Sequence, residues 1–598
     1  MTRSRDIAAF LGKTEANNTQ NLVLLNTSSE VGFDSAEVTS IAAPYGTQVF
    51  DSAQQLPLVG LIAGQRAFTT NTNRFYISNG SGWYSVATIN ATPTFSLSPD
   101  ASYILASDGV TATTITILAT DPEGFAITYS AIADSDFNGL ATVSQDSSVF
   151  TITPKSEANA TTTTGTLTFK ATDGVNIASE ISTFTLTFGP DYTSATKTTI
   201  FPDEAATIGQ SDFGFACSIS GDGNYAVVGA TFDRGTYNGT AYFFSKSGST
   251  WSQMVRTWPG NDAGYGNATA MNSDGTYAVV SAWYDDANGT NSGAVFVYNR
   301  SGSTWSQQQK VISPDTDNLP DNFGFDVDIN PSATYMIVGS PGDDTGGTDR
   351  GAAMIYTRSG STWTLQQKIQ SSDAQNSDLF GKSVSINSDG SYAIIGAGSE
   401  DGATTGVGAA YIFTRSGSTW TQQAKLTASD AQTSDYFSYG NDGGGVSIND
   451  DGTYVVIGAT NEDGGAGDPL SNAGAAYVFT RSGSTWTEQA KITASDAAAN
   501  DWLGYRVIMN SDATLMAIMA RSAAHPTYGT NAGAIYVYTR SGSTWTEQEI
   551  LRPRGPGTSG RARGLGMTSD GSSILVGSIY DQVSGYSNVG AAYIFEAG

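Results

Sequence analysis

At 598 residues the chain is too long for one ordinary domain core, so several domains are expected. A net charge of −28 repels phosphate backbones and argues against nucleic-acid binding, while 68 glycines amid plentiful Ser, Thr, Asn and Asp suit short strands joined by tight turns. One cysteine (Cys217) and one histidine (His525) exclude an internal disulfide and a histidine-cluster metal site and disfavour a Ser-His-Asp triad; no run of about 18 apolar residues offers a membrane span.

Residues 1–45 read as an N-terminal attachment segment, and only the first dozen residues carry a helical pattern. The opening MTRSRDIAAFLGKTEA is basic but has no apolar stretch, so it does not read as a secretory signal. A protein that acts outside the cell without that signal needs another exit, and release by lysis on a virus particle is one. Residues 46–91 form a small β module in which RFYIS, the turn NGSG and WYSVATI make a hairpin. Residues 92–190 read as one β-sandwich, with TITILATD, AITYSAI, FTITP, GTLTFKATDG and STFTLTFG alternating at strand length.

Residues 191–598 repeat one plan. RSGSTW ends at Trp305, Trp363, Trp420, Trp486 and Trp545, and KSGSTW at Trp251, at spacings of 54 to 66 residues. Each unit reads as four strands: a short alternating VSIN, a continuous apolar run such as YAIIGA, then GAAYIFT, then TWTQQAKLT alternating like a half-exposed outer strand. SDG turns the first pair and RSGS the last, and an acidic Gly-rich loop joins the middle pair. Four antiparallel strands per unit make one blade of a β-propeller. The apolar run occurs seven times but the RSGSTW turn six; the last unit stops one strand short at GAAYIFEAG. TSATKTTIFPDEAA (193–206) supplies the missing strand and closes the ring, hiding both sheet edges. The six tryptophans are expected to wedge between blades. Cys217, in an inner strand, reads as a small buried apolar residue, and His525 as a loop residue.

Two sets of residues are candidate ligands. Asp285-Asp286, Asp343, Asp344, Asp349, Glu400, Asp401, Glu462 and Asp463 place hard oxygens on Gly-rich loops, the donor type Ca²⁺ takes; a solvated acidic surface is the plain alternative. Arg552, Arg554, Arg561 and Arg563 make a basic stretch in an acidic chain, suited to an anionic ligand or to neighbouring carboxylates.

The unit FG-x-SVSI-x(4)-YAIIGA…GAAYIF, with Phe213-Gly214, Phe323-Gly324 and Phe380-Gly381, resembles the FG-GAP repeat family over about 193–598. That resemblance implies an integrin-type seven-bladed propeller. Some members of the family bind calcium through a DxDxDG loop, whose spacing this chain lacks. GSTW matches half of the Asp-box turn of sialidase-like propellers, with Arg or Lys at the Asp position. ATDPEGFAITYS with KATDGVN resembles Ig-like or cadherin-like modules, which implies calcium at Asp121, Glu123 and Asp173. The 46–91 module with SRDIAAFLGKTEA resembles the N-terminal regions of tail-fibre-like proteins of marine bacteriophages, cyanophages especially.

The expectation is an all-β, multidomain phage virion protein, not an enzyme: an attachment region, a sandwich spacer, then an outward propeller that binds a host-surface glycan or protein. It would sit on the particle, contact other virion proteins and form a trimer as phage fibres commonly do. No cofactor is required; the acidic loops are candidates for Ca²⁺, and Ca²⁺ or Mg²⁺ on the acidic surface would bridge to an anionic polysaccharide. The alternatives are a non-binding decoration protein, a bacterial FG-GAP-type adhesin and a sialidase-like glycan hydrolase, the last needing a positioned carboxylate pair or a Tyr nucleophile.

Overall fold

The computed structural model describes residues 48–598 apart from 51–54, 57–64, 70–73, 79–80, 82, 87–90, 106–111, 123, 156–163, 187–189, 204–210, 233–237, 261–263, 316–319, 403, 441–442, 464–469, 525–531, 554–560 and 582–588. The attachment segment 1–45, its expected helix, Glu123, His525 and Arg554 lie outside the described residues. The chain divides into two compact units, Met1–Thr187 and Phe188–Gly598.

In the first unit, Arg74–Ser78 and Trp83–Val86 form the expected antiparallel hairpin, extended by Arg66–Thr69 and, in parallel, by Gln48–Phe50. Farther on, a three-stranded and a four-stranded sheet carry the alternating segments. Thr164–Thr172 shows why alternation matters: Leu167, Phe169 and Ala171 are buried, and Thr168 and Lys170 between them are half-exposed. Phe169 meets Phe150 of the other sheet edge to face at 5.1 Å, so the two sheets pack through aromatic side chains. The helix α1 (Ser135–Leu140) is capped by Asp134, whose Oδ1 accepts from Phe137 N and whose Oδ2 accepts from Thr166 N and Oγ1.

Among the described residues the second unit contains seven four-stranded antiparallel sheets. Sheets I to VI begin with innermost strands Phe213–Ile219, Tyr265–Met271, Val327–Ile329, Ser383–Ile386, Val446–Ile448 and Leu503–Met509. Sheet VII begins with Arg561–Met567 and ends with Thr196–Ile200, which pairs antiparallel to Ala591–Glu596. The N-terminal strand therefore completes the last sheet, as the strand count requires.

Burial follows the sequence pattern. Every residue after Tyr392 in Tyr392–Ala397 is buried, because both faces of that strand are covered. Thr419–Leu426, at the rim, has exposed Thr419, Thr421 and Lys425 beside buried Trp420 and Leu426. The first hairpin of each sheet is held by a side chain: Asn387 Oδ1 accepts from Ser391 N at 2.9 Å and Tyr392 N at 2.8 Å. Asn272, Asn330, Asn449 and Asn510 do the same.

The sheets are joined in a circuit at these hairpins. Asp222 N donates to Ser273 O, Ser273 N to Pro331 O, Asn330 Nδ2 to Ser388 O, and Ser388 N to Asp450 O. Asp450 N donates to Ser511 O, Ser511 N to Ser569 O, and Ser569 N to Gly221 O. Each sheet is thereby bonded to the next and VII to I. At the opposite end glycine sets the approach: a Cβ on Gly339 would lie 1.9 Å from Gly381 O of the next sheet. The FG glycine and the glycine of the apolar run are thus two halves of one inter-sheet contact.

The RSGSTW turn is the hairpin between the third and outer strands, with Ser416 paired to Thr419 around Gly417 at φ +62°. Arg415 donates to Gly390 O, Gly417 O and Asp389 O of its own sheet and lies 4.6 Å from the Tyr335 ring of the preceding one. Arg300, Arg358, Arg481 and Arg540 stack likewise on Tyr225, Tyr277, Tyr392 and Tyr454. The tryptophans also reach back: Trp420 Nε1 donates to Gln366 Oε1, and Trp420 N to Gln367 Oε1, both in sheet III. The expected wedge is present, and the arginine shares it.

Candidate ligand-binding site

The predicted acidic residues do not converge on one site. They occupy the middle loops of separate sheets, and within each loop the two leading carboxylates do different things. The first is buried and faces a lysine of the outer strand: Asp285 to Lys310 at 2.6 Å, Asp343 to Lys368 at 2.5 Å, Glu400 to Lys425 at 2.6 Å, and Glu462 to Lys491. The second closes its own loop: Asp286 accepts from Asn291 N, Asp344 from Asp349 N, Asp401 from Gly406 N, and Asp463 from Asn472 N. In sheets III to V a further carboxylate, Asp315, Asp373 or Asp430, meets the same lysine. Burial works against charge on Lys425, but its hydrogen bonds with Asp373 and Glu400 prevail and hold its pKa above the usual lysine range.

Asp315, Asp321 and Asp343 approach one another closely enough to share a cation. Lys368 is already bonded to Asp315 and Asp343 and supplies positive charge there. In the first unit, Asp121 Oδ1 accepts from Phe125 N, and Asp173 Oδ1 from Val175 N and Asn176 N, so each closes its own turn.

The described arginines of the basic stretch lie at different strands. Arg552 follows the outer strand Thr544–Leu551, where it bonds Asp496 and Ala524 O. Arg561 and Arg563 open the innermost strand of sheet VII, and Arg563 lies 3.7 Å from the Phe215 ring of sheet I. Cys217 is buried as expected, and burial pushes its thiol up to about 12.

A site the sequence reading missed lies where the FG segments and middle loops of sheets II, III and IV meet. Asn267, Trp283, Asn322, Phe325, Leu379 and Lys382, with Pro341, Gly342 and Asp349, line a cavity of about 290 Å³. Trp283 and Phe325 meet edge to face at 5.0 Å. Asn267 donates to Phe325 O, and Asp349 belongs to the middle loop of sheet III. Burial, then the charge of Asp344, push the Asp349 carboxyl upward.

Lys382 is 9% exposed, and its ammonium sits 5.0 Å from the Phe325 ring and 3.9 Å from the Tyr439 ring. It has no carboxylate or hydrogen-bond acceptor for that ammonium among the described residues, unlike the four lysines of the acidic loops. Lys382 lines the cavity, so water or a bound group there can take the donors its ammonium leaves open. Sequence alignment of the repeats holds a signal for it: the residue after the FG position is Phe215, Asn267, Phe325, Lys382, Tyr439 and Tyr505 in sheets I to VI. Lys382 is the cation of that series in sheets I to VI; in sheet VII Arg563 stands five residues before the hairpin residue Thr568, as Lys382 does before Asn387, and lies on the Phe215 ring of sheet I.

The innermost strands also carry acids that serve neighbours. Asp326 Oδ2 accepts from Val384 N and Gly444 N, and Asp328 Oδ2 from Ile386 N and Ser385 Oγ. They satisfy strand-edge donors that would otherwise lack a ladder partner. Burial pushes the Asp328 carboxyl up to about 7.

These repeated four-stranded sheets define a repeat-type β-propeller. Five stretches, 260–298, 305–356, 363–413, 420–479 and 486–538, match the FG-GAP repeat, so the chain carries at least five such repeats. Each of the last four runs from an outer strand through the third strand of the following sheet. No curated protein sequence matches the chain. Similar solved structures include the RRP9 WD40 repeats, with 8% identity and a TM-score of 0.41 over 69% of this chain and 99% of that one. The C-terminal WD40 domain of Sif2 shows 10% identity and a TM-score of 0.36 over 65% and 97%. A 6-phosphogluconolactonase-like protein from Bacteroides uniformis shows 10% and 0.36 over 58% and 89%.

Proposed function

We propose that this chain is a phage virion structural protein, a fibre or appendage subunit, whose seven-bladed β-propeller is displayed outward and binds a host-surface glycan or protein. The hydrogen-bond circuit through all seven sheets supports the blade number. The N-terminal resemblance to phage fibre-like proteins supports attachment to the particle, and an Ig-like or cadherin-like sandwich serves as spacer. The observation that carries the binding reading is the cavity between sheets II, III and IV, with its aromatic wall and unpaired ammonium. A rigid ring presenting such a pocket is pre-organised for recognition.

The reading is non-catalytic, since the repeated carboxylates are engaged in lysine pairs and loop closure. It calls for no cofactor; the buried carboxylates of the acidic loops face lysines. Two experiments test it. Mass spectrometry and immunogold labelling of purified particles should find the chain on their surface; its absence there would contradict a virion role. Labelled full-length chain should bind host cells; a folded chain that labels particles but never cells would favour a decoration protein.

A further inference from the structure

We infer that the cavity between sheets II, III and IV binds a single sugar residue bearing an anionic group, with Trp283 and Phe325 against the sugar ring and Lys382 on the anion. This rests on the receptor-binding reading and supplies its ligand class.

Three features of the cavity converge. Lys382 lines it, is 9% exposed, and among the described residues its ammonium meets two aromatic rings and no acceptor. A lysine ammonium is a compact point charge with three donors, and a carboxylate, sulfate or phosphate completes them best. Trp283 and Phe325 give an angled aromatic wall, the surface on which the apolar C–H face of a pyranose packs. Asn267, Asn322 and Asp349 are polar groups on the same lining, suited to hydroxyls. At about 290 Å³ the space suits one sugar ring and its substituent, not a longer oligosaccharide.

The net charge of −28 does not forbid an anion there. At physiological salt, charges farther than about 8 Å are largely screened, so the ammonium inside the cavity governs the contact. Asp349 on the same lining opposes a second anionic group and so favours one charge per bound residue.

The test is calorimetric titration of the full chain with methyl uronides of gluco, galacto and manno configuration, their neutral counterparts, the corresponding 6-sulfates, and acetate alone. At least one uronide or sulfate should bind about tenfold more tightly than its neutral counterpart. Acetate alone should bind far more weakly, because it lacks the ring. Lys382→Gln should bring anionic and neutral sugars level, and Lys382→Arg should restore most of the preference, with unchanged melting showing that both variants fold. A uronide-only or a sulfate-only response identifies which anion is read, and either supports the assignment. Equal binding of charged and neutral sugars, binding of none, or indifference to Lys382→Gln overturns it. Host-cell binding by the same wild-type protein separates the two readings. Cells bound but all sugars ignored leaves the receptor role and removes this site. An anionic sugar bound but cells ignored keeps the site and removes the receptor role.

Discussion

Asp285 is 1% exposed, and Lys310 is the cation it meets across the second sheet. Removing one partner of such a pair leaves a buried charge uncompensated, which costs far more than the intact pair contributes. Lys310→Met should lower stability by about 3 kcal/mol, and Asp285→Leu with Lys310→Met should recover most of it; denaturant unfolding reads both. If the acidic loops were calcium sites, chelator would lower the melting temperature; the lysine account predicts no shift. Asp328 offers a test by pH. Its carboxyl is raised from 3.8 to about 7, so between those values the native chain holds a proton that the unfolded chain has lost. Stability from this group is greatest at low pH and falls as pH rises towards 7. Asp328→Asn keeps a carbonyl for Ile386 N and removes the titration. From pH 5 to pH 8 the wild type should lose melting temperature relative to this variant by about 2 °C or more, and parallel curves would contradict the assignment.

At the scale of one hairpin, RSGSTW states its turn but not its purpose. The glycine at positive φ and the strand pattern on either side were readable, because both are local. The stacking of Arg415 on Tyr335 was not, since the partner lies in the preceding sheet and spacing alone does not say which face of a hairpin meets it. The lysine partners of the acidic loops were not legible for a similar reason: Glu400 reads as a hard ligand until the outer strand returns and places Lys425 beside it. Lys382 was not legible as a site residue, because the rings beside it, Phe325 and Tyr439, come from the two neighbouring sheets. Arg415→Ala should cost about 2 kcal/mol through lost carbonyl bonds and stacking, with Arg415→Lys restoring only part, because an ammonium cannot reach three carbonyls as the guanidinium fork does. Gly381→Ala should be worse, at about 3 kcal/mol or more, as its Cβ would meet Ala352 O at 2.2 Å with φ at +95°.

Across the whole molecule, the seven-sheet order and the return of the N-terminal strand to the last sheet were legible, because a missing outer strand at one end and an extra one at the other admit a single closure. Thr196–Ile200 covers the edge of Ala591–Glu596, and Tyr192 anchors its approach by donating to Gly571 O. Deleting residues 191–200 should expose that edge, lower the unfolding midpoint and promote self-association, which light scattering would record. The function was less legible, since a ring of repeats is a scaffold and its site is set by a few singular side chains.

The central claim is that this ring recognises the host surface for the particle that carries it. The most direct measurement is adsorption of that phage to its host in rising concentrations of the purified full-length chain. Dose-dependent loss of adsorption is the predicted result; undiminished adsorption in the presence of a chain shown to be folded would contradict it.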